Sequence, residues 1–279
     1  MKIFTTKNAL QQHLQQLRQQ GSSIGYVATM GALHDGHLSL LAQAKQQADV
    51  TICSIFVNPT QFNDPADLER YPRPIAADTA KLERAECDIL FNPPVGEMYA
   101  GNENWHLDIG PLEHLLEGEF RPGHYQGVTQ VVFKLFDIIQ PNLAFFGQKD
   151  YQQVMVIRKM VQLLNLPVKV IMCPILRETD GLAMSSRNIH LSTADHEHAL
   201  VLWQALNRAK SYFEEGMPIA QIEEKAAAMI SHEPGTQLEY FTLADGDTLE
   251  HAEPHSTSIV ALVAARVGST RLIDNVIIR

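Results

Sequence analysis

Cysteine is scarce. The 279 residues hold three, Cys53, Cys87 and Cys173, far apart and without a C-x-x-C pair. That spacing supports neither a disulfide framework nor a zinc knuckle. Cys53 and Cys173 lie in apolar runs and read as small core residues. Positive charge is also in short supply: 22 Lys and Arg face 32 Asp and Glu, for a net charge of −10. Such a surface repels a phosphate backbone, and no basic patch longer than a few residues offsets it, so no nucleic-acid partner is expected. No apolar run approaches the roughly 18–20 residues of a membrane helix, so no membrane partner is expected either. The opening MKIFTTKNALQQHLQQLRQQ lacks the apolar stretch of a secretory signal. Internal repeats and low-complexity linkers are missing too. These absences leave a soluble, cytoplasmic, globular protein as the expectation. Any anionic ligand must be held by a small, concentrated positive site.

What is present is an ordinary packed chain, 45% hydrophobic and 19% charged. Thr5 or Thr6 can cap an amphipathic helix ending near Gly21. Apolar runs at 24–28, 50–57, 88–91, 143–146 and 168–172 read as strands, separated by helical stretches near 37–48, 76–85, 129–139 and 152–164. Strands alternating with helices predict βα units in a parallel sheet, a Rossmann-like doubly wound α/β layer. From about Arg177 the texture changes. Helices at 193–215 and after Pro218 precede strand-like runs at 238–243, 258–267 and 271–278, which suggests a smaller α+β domain. The expected division is 1–176 for the nucleotide- and substrate-binding domain and 177–279 for a C-terminal lid domain.

Four polar segments fall where such a sheet binds ligands, beyond the carboxyl ends of its strands. The first is Met30-Gly-Ala-Leu-His-Asp-Gly-His37. Gly31 and Gly36 let the backbone approach a ligand, and a helix start supplies free N–H groups suited to phosphate. His34 and His37, three positions apart, can donate to a phosphate oxygen that gains charge during attack. Taken alone, they read more readily as a pair of surface histidines in a turn, and no third ligand stands at zinc spacing; their place after the first strand favours phosphate. The second is Asn58-Pro-Thr-Gln-Phe62, whose amides Asn58 and Gln61 suit a small substrate with a hydroxyl and a carboxylate. Tyr71, within Arg70–Arg73, could add a wall, and Asp78 a magnesium-side carboxylate. The third is Gly147-Gln-Lys-Asp150, followed by Gln153. Gly147 permits close approach, Lys149 supplies a point charge and Asp150 can bond a ribose hydroxyl. The fourth is Met184-Ser-Ser-Arg-Asn188, where Ser185, Ser186 and Arg187 make a flexible anion clamp. Glu119–His124 lies in a long segment of the kind used as a lid. Asp195-His-Glu-His198 resembles a metal set on paper, but neighbours on a helix diverge, so it reads as a solvated face.

The first and fourth segments together resemble the HxGH nucleotidyltransferase superfamily, which includes class I aminoacyl-tRNA synthetases. All four in this order, across essentially the whole chain, resemble the pantothenate synthetase family. One position departs from the family pattern: Ala77, Asp78 and Lys81 stand where an acidic and amide pair is expected. The resemblance implies an ATP-dependent ligase that joins pantoate to β-alanine through pantoyl adenylate, releasing AMP and pyrophosphate. By the same resemblance Met30, Gly31, Ala32, Leu33, His34, Asp35, Gly36 and His37 line the ATP site, with His34 and His37 on the phosphates. Gly147, Gln148, Lys149 and Asp150 take ribose and phosphate, the Leu176 backbone touches adenine, and Met184, Ser185, Ser186 and Arg187 close over the triphosphate. Gln61 and Gln153 hold pantoate, and Gln61 borders β-alanine. Mg2+ and a homodimer are implied as well. A related adenylyltransferase acting on a phosphorylated acceptor is the alternative; it leaves Gln61 and Gln153 without a role.

Overall fold

The structure, a computed structural model, describes residues 1–99, 101 and 103–279, with the backbone alone at Asp67. The chain divides into two compact units, Met1–Gly147 with Gln152–Cys173, and Gln148–Tyr151 with Pro174–Arg279.

The first unit is built on a six-stranded sheet of β1 (Lys2–Phe4), β2 (Ile24–Thr29), β3 (Val50–Ile55), β4 (Ile89–Phe91), β5 (Leu143–Gly147) and β6 (Lys169–Cys173). The spatial order is β1-β4-β3-β2-β5-β6 with every pairing parallel. This is the expected doubly wound layer. The helices are α1 (Lys7–Gln19), α2 (Asp35–Gln47), α3 (Pro65–Arg70), α4 (Ile75–Arg84), α5 (Val95–Met98), α6 (Glu117–Phe120), α7 (His124–Ile139) and α8 (Tyr151–Leu163). The Ile24–Thr29 and Val50–Ile55 strands are buried almost throughout, as strands covered on both faces must be. Val27, Leu40, Ala44, Phe145 and Cys173 form one apolar cluster, and Leu33, Leu41, Cys53, Ile55, Leu82, Cys87 and Leu90 form another. All three thiols are buried. Burial pushes those of Cys87 and Cys173 up to about 11, so none is poised as a nucleophile.

The sheet order fixes where a ligand can reach the backbone. Successive strands run outward from β2 through β3 and β4 on one side and through β5 and β6 on the other. The order therefore reverses between β2 and β5, and such a switch point opens a crevice at the carboxyl ends. Three of the four polar segments start at the ends of the adjacent strands β3, β2 and β5.

Three features depart from the sequence reading. β1 is absent from the sequence reading: Lys2–Phe4 is a three-residue strand with Lys2 and Ile3 exposed, too short to show a strand pattern. α7 starts at His124, five residues before the expected Thr129, so Glu119–His124 runs through α6 into a helix start. Thr6 occupies the N-cap position of α1, but its side chain makes no capping bond.

The second unit holds α9 (Thr193–Glu214), α10 (Ile219–Ser231) and the antiparallel sheet β7 (Thr236–Asp245), β8 (Ile259–Val267), β9 (Thr270–Ile277), in that order. Its core joins Leu202, Leu206, Ile222 and Ile230 of the helices to Leu243, Ile259, Val263 and Leu272 of the strands. Gln148–Tyr151 belongs to this unit and is tied to it by the Tyr151 hydroxyl, which donates to the Gly246 carbonyl at 2.9 Å.

Candidate active site

The turn after β2 is held in an uncommon backbone conformation. Gly31 and Ala32 both have positive φ, +85° and +50°, a cost for alanine that neighbours must offset. Two successive left-handed residues turn the N–H groups of Ala32 and Leu33 toward one point. Asp78 fills it, accepting from Ala32 N at 2.7 Å on Oδ2 and from Leu33 N at 2.8 Å on Oδ1. From the same face of α4, Lys81 donates to the Leu33 carbonyl. A nest of this kind can bind a ligand anion, but here the protein's own carboxylate occupies it.

Asp78, expected as a magnesium-side carboxylate, is turned to the backbone instead. It is 1% exposed, and both oxygens are engaged by backbone N–H groups. Its work is to anchor the turn that leads to the histidines. Sequence reasoning missed Lys81 as its companion, although D-x-x-K on a helix places both on one face.

His34 is the N-cap of α2, and with His37 it forms a reciprocal capping box. The rings lie 4.1 Å apart between centroids. The His34 N–H donates to Nδ1 of His37 at 3.3 Å. A nitrogen that accepts cannot carry the proton of the neutral ring, so Nε2 of His37 is the donor. The backbone thereby selects the Nε2–H tautomer at a helix N-terminus that itself favours negative charge. Asp35 is exposed, and His34, Gly36 and His37 are half-buried.

After β3 the chain makes a short 3-10 turn, Pro59–Gln61. Asn58 is 1% exposed. Its Nδ2 donates to Gly127 O at 3.1 Å, Thr60 Oγ1 at 3.1 Å and Gln61 Oε1 at 3.3 Å, and its Oδ1 accepts from Tyr99 at 2.6 Å. Expected at the substrate, Asn58 spends its amide inside the protein and orients Gln61. Tyr71, also expected there, is 9% exposed with its ring edge-on to Phe62, 5.8 Å between centroids. Nε2 of Gln61 reaches Sδ of Met30 at 3.0 Å, so the first and second segments meet. Gln153 lies half-buried in the first turn of α8.

α7 clasps this turn. Nδ1 of His124 meets Gln61 O at 2.9 Å. A Cβ at Gly127 would sit 2.4 Å from Thr60 O and 2.7 Å from Gln61 Cα, both backbone atoms. Gly127→Ala should therefore displace the Gln61 turn, at an overpacking cost of about 1–3 kcal/mol. The expected result is a lower melting temperature together with a raised KM for pantoate, the substrate expected at Gln61. An unchanged melt and KM would refute the clasp.

In the second unit Gln148–Asp150 forms a single 3-10 turn with Lys149 half-buried and Asp150 exposed. Leu176, 39% exposed, accepts from Met184 N at 3.1 Å, which brings these two expected nucleotide residues together. Ser185 caps the 3-10 turn Ser186–His190, accepting from Arg187 N at 3.2 Å. Asn188 ends the segment, donating to Ala183 O at 3.1 Å and Glu178 Oε1 at 2.7 Å. Glu178, Asp180 and His196 place one potential metal-ligand atom each within 4.8 Å of one another. His196 bonds Asp180 at 2.7 Å, which holds the Asp180 carboxyl below its usual range. These groups are already paired with protein partners, and an imidazole in the set does not suit magnesium, a hard cation that prefers oxygen. Among the described residues, then, neither Asp78 nor this cluster fits a dedicated magnesium site. His198 likewise has its own acid, Glu233, at 2.6 Å. The 195–198 histidines diverge as helix geometry requires, but each finds a carboxylate on another segment.

A doubly wound parallel sheet, with a histidine-capped helix after the strand at the switch point, defines a nucleotide-type α/β enzyme. A sequence model of the Pantoate-beta-alanine ligase family matches residues 2–277. The chain is 44% identical to pantothenate synthetase of Thermotoga petrophila over 279 residues, all of both chains. The crystal structure of pantothenate synthetase from Thermus thermophilus superposes with a TM-score of 0.94 at 39% identity, over 100% of this chain and 99% of that one. Pantoate-beta-alanine ligase from Francisella tularensis, complexed with beta-gamma ATP and beta-alanine, superposes with a TM-score of 0.83 at 35% identity, over 99% and 97%. The chain belongs to the pantoate–β-alanine ligase family and is an enzyme that joins pantoate to β-alanine.

Proposed function

We propose that the chain makes pantothenate in two steps with ATP as the driving substrate. A pantoate carboxylate oxygen attacks the α-phosphorus of ATP, and the bond to pyrophosphate breaks as pantoyl adenylate forms. The β-alanine amine then attacks the acyl carbon. The amide bond forms, AMP leaves with the electrons of the acyl C–O bond, and the amine gives up its proton. The substrate supplies the nucleophile in both steps, so the protein has to align the reactants and stabilise phosphate charge. That division of labour suits a site with imidazoles, amides, a lysine and an arginine and with inert buried thiols.

In this reading Met30–His37 line the ATP site, and the Nε2 hydrogen of His37 and the His34 ring address the phosphates. Gln61 and Gln153 hold pantoate, with Gln61 bordering β-alanine. Gly147–Asp150 take ribose and phosphate, Leu176 lies at adenine, and Ser185, Ser186 and Arg187 close on the triphosphate. Mg2+ enters as the counter-ion of ATP, part of the substrate. A homodimer in the cytoplasm belongs to the same reading.

The observation that carries it is the pairing of His34 and His37 as N-cap and N3 of the α2 start, directly after β2 and beside the switch point. Gly147 adds support. A Cβ there would meet no described atom within 4 Å, so the fold itself does not require glycine, whereas an approaching nucleotide does. The test is an assay of ATP, pantoate and β-alanine for AMP against ADP. AMP formation that needs all three, with pyrophosphate–ATP exchange that needs pantoate alone, is expected. ADP formation, or exchange driven only by a phosphorylated acceptor, would overturn the proposal.

A further inference from the structure

β9 carries two adjacent buried polar residues whose side chains serve other segments. Asn275, 1% exposed, forks its Nδ2 between the carbonyls of Gln148 at 2.9 Å and Lys149 at 3.0 Å, and its Oδ1 accepts from Gln148 Nε2 at 3.0 Å. Every bond of that amide goes to the turn bearing Lys149. Asp274, 5% exposed, holds Arg177 through both oxygens, at 2.6 and 2.9 Å, and also accepts from the Asn275 N–H at 2.7 Å. Burial pushes the Asp274 carboxyl up, and Arg177 offsets this in part. Arg177 lies 3.5 Å from the centroid of the Trp203 ring and donates to Gly181 O at 3.1 Å. Gly181 has φ +103°, and a Cβ there would strike Trp203 at 2.2 Å. Arg177 bridges Ala183, and Met184 N bonds Leu176 O, so this hairpin is the base of the Met184–Arg187 segment.

Two segments with phosphate-binding composition are thus mounted on neighbouring residues of one strand. The three-residue turn Gln148–Asp150 lies between the end of β5 and the start of α8 and shares the hydrogen-bond ladder of neither. A planar amide that satisfies two successive carbonyls and takes back a side-chain N–H fixes its position and its rotation. We propose that Asn275, seated by the Asp274–Arg177 pair, is a positioning residue for the nucleotide step, setting where the Lys149 ammonium is presented. This rests on the reading of Lys149 as a phosphate contact.

The experiment measures ATP and pantoate binding by calorimetry, with kcat alongside, in Asn275→Asp, Asn275→Ser and Lys149→Ala. Asn275→Asp keeps the side-chain size but turns the forked donor into a carboxylate facing two carbonyls. Weakening of ATP binding or loss of kcat by about tenfold or more is expected, since misplacement of about 1 Å can cost 10²-fold. Pantoate affinity should hold. Asn275→Ser, which keeps one donor, should fall between wild type and Asn275→Asp, and it carries the test if Asn275→Asp does not fold. Wild-type ATP handling in a folded Asn275 variant, beside an impaired Lys149→Ala, overturns the inference alone. So does a parallel fall of ATP affinity, pantoate affinity and melting temperature, which would mark a merely structural residue. Unchanged ATP handling in Lys149→Ala would remove the underlying reading, and this inference with it.

Discussion

Lys149→Ala should lower turnover by about two to three orders of magnitude, the cost of removing one preorganised donor from developing charge, roughly 2.7–4 kcal/mol of barrier. A helix terminus contributes only about 0.3–1 kcal/mol toward an anion at the surface and up to ~2 when partly buried. The α2 N-terminus by itself therefore cannot organise a triphosphate, and a fixed cation must carry much of the charge. Lys149 is suited to that task and dispensable to the fold. Its carbonyl is held by Asn275, while its ammonium makes no hydrogen bond or ion pair among the described residues. Truncation should leave the circular dichroism spectrum and melting temperature unchanged while AMP formation collapses. Lys149→Arg should recover only part of the rate, because a planar fork on a longer side chain does not deliver a compact charge to the same point. Steady-state AMP release at saturating substrates is the measurement. A rate within a few-fold of wild type would remove Lys149 from the phosphate site.

The parallel sheet is legible in the sequence because strands buried on both faces leave continuous apolar runs, as at 24–28 and 143–146, and helices between them leave periodic ones. β1 is not, since a three-residue edge strand takes its structure from the neighbouring β4 and not from its own pattern. The apolar pattern starts α7 late because its first turn, His124–Gly127, is polar and ends in a glycine. That glycine is there for the close approach of Thr60 and Gln61, sixty-odd residues earlier, and no local pattern reports such a contact. The site divides in the same way. His34 and His37 sit three apart, a spacing that already predicts a shared face. Asn58, by contrast, looks like a free amide at a strand end, and only the fold shows Gly127, Thr60 and Tyr99 using it. The Asp274–Arg177 and Asn275–Lys149 pairings span roughly a hundred residues or more. They fall between segments that look ordinary when read alone.

Asp78 gives the sharpest contrast between the two readings, because each predicts a different failure. As an anchor it satisfies two backbone donors of a left-handed turn in a buried place. Asp78→Ala would leave both N–H groups of Ala32 and Leu33 without that acceptor, at about 1–3 kcal/mol each, so a loss of roughly 2–6 kcal/mol in unfolding free energy is expected. The strain at Gly31 and Ala32 persists only while neighbours over-determine it. Once released, the turn should no longer deliver His34 to the N-cap of α2, and the capping box that sets the His37 tautomer should loosen with it. Activity and stability should therefore fall together. Asp78→Asn, which keeps one acceptor and sets an amide N–H against the other donor, should lose less of both. A metal ligand would behave differently: stability would change little, the Mg2+ concentration for half-maximal rate would rise, and excess Mg2+ would restore activity. Urea unfolding of Asp78→Asn, paired with a Mg2+ titration of its rate, separates the two. An unshifted unfolding midpoint with full rescue by Mg2+ would return Asp78 to the metal. A lowered midpoint with no rescue would leave it where the hydrogen bonds place it, beneath the turn that positions the histidines.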